Sequence, residues 1–320
     1  MKLLVFSDIH NNLAVVRALR AAEANEYDAL IVAGDLGDKA ATQMFEIFDT
    51  FECPVFFVHG NWDNKLSYTQ NPSTFCTQVH NNVYQLGDYF ITGYSGCPTH
   101  WGKNPIYLKE SAAARERHSE VLVQLQALHD LNDVEGGAIE EDFKRRRQLL
   151  SAKRAKMDSK AYRKAGQKLR DWKSKKLSNL QEKIYRLQKT SAYSKFEEDS
   201  WDCVEKTRQK QREELFKCIA ANAIPHDRVI VLTHERLYRL ADDGIVPLLH
   251  IFGHKHQYKF NKFKGTNYLN AAALDSSKFV DGEGWTVSPS GYCVVTLSNA
   301  DVIVERRTVD VPETELEEED

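Results

Sequence analysis

Apolar and polar positions along the chain alternate with two different periods, and the dominant period changes twice. Residues 3–6 form a continuous apolar run that predicts a buried strand. Residues 12–24 follow, with Leu13, Val16, Leu19 and Ala22 near helical spacing. A second strand over 29–33, a helix over 40–51 and a third strand over 55–58 extend the series. Strands separated by helices of this length imply βαβ units with parallel pairing. Residues 83–86 and 89–94, split by Gly87 and Asp88, predict an antiparallel hairpin instead.

From residue 106 to 224 there is no proline, and Gly136, Gly137 and Gly166 are the only glycines in a run dominated by Ala, Lys, Arg, Glu, Gln and Leu. That is the composition of long helices. Leu177, Leu180, Ile184 and Leu187 recur at coiled-coil spacing, but the stripe is short. A helical hairpin or small bundle is expected, with breaks at Gly136-Gly137 and over 190–194. After Pro225 strand signals return at 228–232, 248–252, 258–263 and 267–269, with Gly265 between the last two. Residues 292–297 and 302–307 predict a further hairpin, and the acidic residues 313–320 predict disorder. The expected plan is an α/β core over 1–107 and 223–310, interrupted by a basic helical, partly coiled-coil insertion over 108–222. An acidic tail over 311–320 completes it.

Composition refines this plan in three respects. At 320 residues the chain exceeds the usual single domain, as a core with an insertion would. Its 42% apolar content suffices for a substantial core. The six cysteines (Cys53, Cys76, Cys97, Cys203, Cys218, Cys293) are scattered without a C-x-x-C pair, and reduced thiols of a cytosolic protein are expected. The opening apolar run is too short for a signal peptide, and no stretch approaches the roughly 20 apolar residues of a membrane span. A cytoplasmic protein is the expectation.

Candidate chemistry sits just after the predicted strands. The first runs into Asp8 and His10, the second into Asp35, and the third into His59, Asn61, Trp62 and Asp63. Residues 228–232 lead to His234, and 248–252 lead to His254 and His256. In open α/β sheets the carboxyl ends of strands converge on one crevice, so these clusters are expected to meet. Carboxylate, imidazole and amide oxygen suit a hard or borderline divalent ion. Two cations about 3.5–4 Å apart need a bridging carboxylate, and Asp35 is the candidate. Taken singly, each residue has an ordinary explanation: a helix N-cap for Asp8 or Asp35, a turn for Gly60-Asn61, a solvated loop for the histidines. Their occurrence together, in order and at strand ends, is what points to a metal site.

The chain here resembles the calcineurin-like metallophosphoesterase superfamily, in Asp8-Ile9-His10, Gly34-Asp35, Gly60-Asn61-Trp62-Asp63, His234 and Gly253-His254-Lys255-His256. The resemblance covers the α/β parts and not the insertion. It implies a two-sheet αββα sandwich. It also implies one ion on Asp8, His10, Asp35 and His256, and another on Asp35, Asn61, His234 and His254. Two divalent ions are expected, Mn²⁺ first, with Fe or Zn²⁺ as alternatives, and a metal-activated hydroxide attacking phosphorus. Asp35, Asn61, His234 and His59 are the catalytic candidates. Many family members carry a histidine as general acid where this chain has Trp62, so either a preference for good leaving groups or another acid such as His59 is expected. Asp63 keeps the family's acidic position without that histidine beside it. Protein Ser/Thr phosphatases of the family carry Arg where this chain has Lys39, so that subfamily is disfavoured.

The insertion carries its own signal. Between residues 144 and 189 there are 18 Lys or Arg against Asp158, Asp171 and Glu182. Such a density of like charge calls for an anionic partner or simple solvation. Arg145, Arg146, Arg147, Lys153, Arg154 and Lys164 are candidate nucleic-acid contacts, and Tyr162, Trp172 and Tyr185 would either stack bases or pack the hairpin. The leading expectation is a phosphoesterase acting on nucleic acid or nucleotide, as nuclease or phosphatase. The alternatives are a small-molecule phosphodiesterase or pyrophosphohydrolase whose helical arm mediates homo-oligomerisation, and a non-enzymatic nucleic-acid- or protein-binding scaffold.

Overall fold

The computed structural model describes residues 1–23, 26–66, 72–97, 104–275, 277–281, 284–299 and 301–310. Residue 24, expected as the end of the first helix, and the acidic tail lie outside the described residues. The strands are β1 (Lys2–Phe6), β2 (Ala29–Val32), β3 (Val55–Phe57), β4 (Cys76–Gln78), β5 (Val83–Leu86), β6 (Tyr89–Tyr94) and β7 (Val229–Thr233). They continue as β8 (Leu249–Phe252), β9 (Lys259–Phe263), β10 (Thr266–Asn270), β11 (Ser277–Asp281), β12 (Gly284–Ser288), β13 (Gly291–Ser298) and β14 (Asp301–Thr308). The helices are α1 (Leu13–Ala22), α2 (Ala41–Asp49), α3 (Pro105–Arg117), α4 (Ser119–Ala152), α5 (Ser159–Gln188) and α6 (Ser191–Ala221).

The described chain divides into two units, Met1–Glu110 with Val204–Asp320, and Ser111–Cys203. In the first, one sheet runs β14-β13-β1-β2-β3-β4 and another β5-β6-β7-β8-β10-β9. Strands β1 to β4 are parallel, as are β6, β7, β8 and β10, while the expected hairpins β5–β6 and β13–β14 are antiparallel. Alternation along β1 decides the layering. Leu4 and Phe6 join Val15, Leu19, Met44 and Phe48 of α1 and α2, whereas Leu3 and Val5 face Ile230, Leu232 and Ile251 of the second sheet. On that sheet's far face, Leu215 and Ile219 of α6 pack on Val229 and Val231. The layers are therefore helix, sheet, sheet, helix, as the αββα expectation required. Strand β4 and the β11–β12 ribbon were not legible in the pattern.

The second unit spans Ser111–Cys203, inside the 108–222 of the expected insertion, because the end of α6 serves the first unit's core. Gly136 and Gly137 do not break the chain. They lie within the 34-residue helix α4, where a β-carbon would meet nothing within 4 Å. Each glycine costs about 1 kcal/mol relative to alanine, which a helix of this length tolerates. The turn instead falls over 153–158, where the Asp158 carboxylate accepts from Ala161 N at 2.8 Å and caps α5. The second break falls at 189–190, at the edge of the expected stretch, with Thr190 Oγ1 accepting from Tyr193 N at 3.2 Å. Of the apolar stripe, Leu180 is buried and Leu177, Ile184 and Leu187 are half-buried. No described helix is long and apolar enough to cross a membrane.

Candidate metal centre

Every expected ligand stands in a loop that leaves a strand at the same sheet end: Asp8 and His10 after β1, Asp35 after β2, Asn61 after β3, His234 after β7, His254 and His256 after β8. Backbone bonds stitch these loops together. Asp8 N donates to Gly34 O at 3.0 Å, Ile9 N to Asp35 O at 2.7 Å, and Gly253 N to His234 O at 2.9 Å. The buried Asp63 carboxylate accepts from Asp35 N (2.9 Å), Gly60 N (2.7 Å) and Gly37 N (2.7 Å), tying the second and third loops. Burial and the nearby Asp35 charge push its pKa up to about 6.

Backbone strain concentrates here. Asp8, His10, Asp35, His254 and His256 all adopt left-handed φ, between 51° and 70°. Such conformations cost a non-glycine residue on the order of 1–3 kcal/mol, and persist where surrounding structure over-determines them. Two glycines permit the close approach. A β-carbon on Gly60 would fall 2.1 Å from Asp35 Oδ1, and one on Gly253 2.5 Å from Ser7 Oγ.

The ligand atoms converge. Asp8, His10 and His256 form one group, Asp8, Asp35 and His234 a second, and Cys97, His234 and His254 a third, with ligand atoms in each group within 4.8 Å of one another. His234 Nδ1 donates to Ala33 O at 2.7 Å, which turns its Nε2 inward. That Nε2 lies 3.2 Å from Asp35 Oδ2, and His10 Nε2 lies 3.5 Å from the same oxygen. Both nitrogens are buried without hydrogen-bond geometry to any partner. Imidazole nitrogens and carboxylate oxygens gathered around a shared space are what a cation needs once the imidazole protons leave, and the donor set fits a divalent ion.

The charges agree. Burial pushes Asp8 and Asp35 up, but imidazoles outweigh it, His256 for Asp8 and His234 for Asp35, and hold both carboxyls below their usual range. Burial pushes His10 and His234 down, yet Asp275 and Asp35 raise His10 to about 9 and Asp35 raises His234 to about 10. In the metal-free protein two imidazolium protons thus supply positive charge that a bound cation would displace. His254 goes the other way, through burial and the His234 charge.

Three residues escaped the sequence reading. Asp275 Oδ2 lies 3.5 Å from His10 Nδ1, so that Nε2 faces inward. Ser7 Oγ donates to Asp8 Oδ2 at 2.5 Å. Cys97 Sγ, fully buried, is 3.6 Å from Asn61 Oδ1, which brings Asn61 to the side of His234 and His254. Burial, then the Asp35 charge, holds this thiol well above its usual pKa, so it stands as a neutral donor. Cys97 follows β6 at the same sheet end, and the strand-end rule that found the other ligands extends to it.

Other expected residues stand apart. The His59 ring is 1% exposed, with Nδ1 3.1 Å from Gln78 Nε2, and packs on Phe57. It is a buried, engaged ring rather than one presented to a substrate. Trp62 is 50% exposed, its ring 4.8 Å from that of His10. In the helical unit Arg145, Arg146, Arg147, Lys153, Arg154 and Lys164 are all exposed. Arg145 and Arg146 both pair with Asp142, at 2.7 and 2.8 Å. Arg146 also covers Trp172 (4.4 Å to the ring centre) and Arg154 covers Tyr162 (5.6 Å), so these rings hold the arm's own cations.

Residues 1–145 match the family model of the calcineurin-like phosphoesterase superfamily domain. That span contains the first three of the five motifs. No curated protein matches the chain. Among solved structures, a conserved uncharacterized protein of Streptococcus pneumoniae, a predicted phosphoesterase, is 11% identical, covering 98% of this chain and 92% of that one at a TM-score of 0.36. The phosphopantetheinyl hydrolase of Mycobacterium tuberculosis is 12% identical, covering 85% and 89%, at 0.36. GAP50, the anchor in the inner membrane complex of Plasmodium, is 10% identical, covering 98% and 89%, at 0.42. With all three scores below 0.5, these likenesses transfer no activity.

Proposed function

We propose that this chain is a hydrolase that cleaves a phosphate ester with two divalent cations, acting on a nucleotide or nucleic acid. One observation carries the reading: two buried imidazole nitrogens, His10 Nε2 and His234 Nε2, approach the same Asp35 oxygen without a hydrogen bond. Asp35 would be the shared ligand, with Asp8, His10 and His256 on one side and Asn61, His234 and His254 on the other. Bound there, divalent cations supply an activated water and neutralise charge on the phosphoryl oxygens. The chain's own part is positional. Ala33 O and Asp275 fix the two imidazole tautomers, and Asp63 holds the Asp35 and Asn61 loops in register. Trp62 carries no titratable proton for a leaving oxygen, which favours esters of acidic alcohols.

A second reading has its own support. Trp172 and Tyr162 are covered by arginines of the same arm, which favours an arm that serves oligomerisation and a small-molecule diester or pyrophosphate as substrate. The test is a panel in which metal-stripped protein, reloaded with Mn²⁺, Fe²⁺ or Zn²⁺, meets bis-p-nitrophenyl phosphate, DNA, RNA and nucleotides. Turnover is expected with at least one metal. Metal-loaded protein inert toward every ester would sink the hydrolase reading.

A further inference from the structure

Beside the candidate metal centre lies a cavity of about 290 Å³, with His254, Arg208 and Arg236 among the residues that line it. Four cations line it (Arg208, Arg236, Lys255 and Lys259) against one carboxylate, Glu235. Glu235 accepts from Arg208 through Oε1 at 2.5 Å, its Oε2 being buried without a hydrogen-bond partner, and Arg208 bonds Glu205 as well. Arg236 is different. Among the described residues no carboxylate lies within 4.0 Å of it, and its Nε, like that of Arg208, is buried without a hydrogen-bond partner. Its guanidinium is held instead by ring faces, 4.3 Å from the centre of Tyr268, 5.0 Å from Tyr238 and 5.8 Å from Phe252.

A guanidinium stacked on aromatic rings is fixed in orientation while its in-plane N–H groups stay available. Such a fork matches phosphate, which accepts two parallel charge-assisted bonds. Arg236 also follows His234 by two residues, so the loop that positions a metal ligand positions this cation too. Beyond Arg208, Arg236 and Tyr238 a second cavity of about 420 Å³ opens, leaving room for an organic group to continue past the cation.

We infer that the cavity between His254 and Arg236 is a subsite for a second phosphate of the substrate, one that is bound and not cleaved. The inference rests on the phosphoesterase reading of the adjoining centre and narrows its substrate class to compounds with two phosphates. Arg236 supplies the bidentate contact, and Lys255 and Lys259 add charge at the rim.

The test compares thymidine 5′-(p-nitrophenyl phosphate) with its 3′-phosphorylated form on the full chain loaded with Mn²⁺. The 3′-phosphate is expected to raise kcat/KM about ten- to hundredfold, mainly through KM, as a charge-assisted hydrogen bond does. Arg236→Gln should bring that ratio close to one, and Arg236→Lys, which keeps the charge, should retain part of it; a merely structural arginine would not move the ratio. A second readout needs no turnover: thymidine 3′,5′-bisphosphate binding to metal-free protein, by calorimetry, should weaken by a similar factor in Arg236→Gln. Should Arg236→Gln not fold, Lys255→Gln with Lys259→Gln should lower the ratio in its place. A parent ratio near one, or one unchanged by these substitutions, overturns the subsite. If neither ester turns over while bisphosphate binding still depends on Arg236, the subsite stands and the hydrolase reading falls.

Discussion

His234 Nε2 lies 3.2 Å from Asp35 Oδ2 and makes no hydrogen bond to it. The carboxylate is shared in space with His10, and its other oxygen accepts from Trp62 N at 2.9 Å. Replacing Asp35 by Ala removes the one oxygen that both imidazoles face. Loss of even an outer-shell partner costs about 10–100-fold in metal affinity, so the loss here should exceed that, with phosphoester turnover falling to background. The fold should persist, because Asp35 stands in a loop and not between the sheets. Equilibrium metal binding and circular dichroism check both halves, and parental turnover in the metal-free variant would contradict the ligand assignment.

Trp62 sets the second expectation. Half exposed beside His10, it offers an apolar surface where a proton donor would assist the leaving group. Rates should therefore fall steeply as leaving-group pKa rises. Trp62→His should raise alkyl-ester hydrolysis selectively, within the roughly 10²–10⁴-fold that a general acid contributes. A flat dependence in the parent, with chemistry rate-limiting, would point to another acid.

Much of this site was legible in the sequence, because five polar clusters each follow an apolar run, and parallel strands bring their carboxyl ends together. What the pattern missed has physical reasons. Strand β4 has three residues and too short an alternation to register. Gly136 and Gly137 act as breakers only where the helix has little else to sustain it. Asp275 acts on His10 from 265 positions away in sequence, so no local spacing announces it. His59 sits in the right motif, yet its neighbours Gln78 and Phe57 bury it, and burial is decided by strands distant in the chain.

His250 gives the pH expectation. It is fully buried, with Nε2 2.9 Å from Thr233 Oγ1, and burial together with the Arg236 charge pushes its pKa down to about 3. The unfolded chain takes up this proton near pH 6.5, before the folded protein does. Stability is therefore fully present above about pH 6.5 and is lost as pH falls toward 3, by about 1.4 kcal/mol per pH unit. Urea titrations from pH 7 to 5 should show a shallower decline for His250→Gln than for the parent. Equal slopes would mean that His250 does not titrate on unfolding.

The basic arm sets the fourth expectation. If it tracks a phosphate backbone, duplex affinity should fall linearly on a log–log salt plot, with a slope of about −0.9 per phosphate neutralised. Reversing Arg145, Arg146 and Arg147 to Glu should weaken DNA and RNA binding and leave hydrolysis of a small chromogenic diester in place. Equal binding by the triple variant across salt would remove this patch from the track. A parent without affinity at low salt would make the arm a structural or oligomerisation element.

In the proposed reaction two cations act together across Asp35. Metal-stripped protein titrated with Mn²⁺, while bis-p-nitrophenyl phosphate hydrolysis is followed, tests it most directly. Turnover should be absent at the start and reach its plateau at about two equivalents, as two-metal sites require. A plateau at one equivalent, or turnover by the stripped protein, would contradict it.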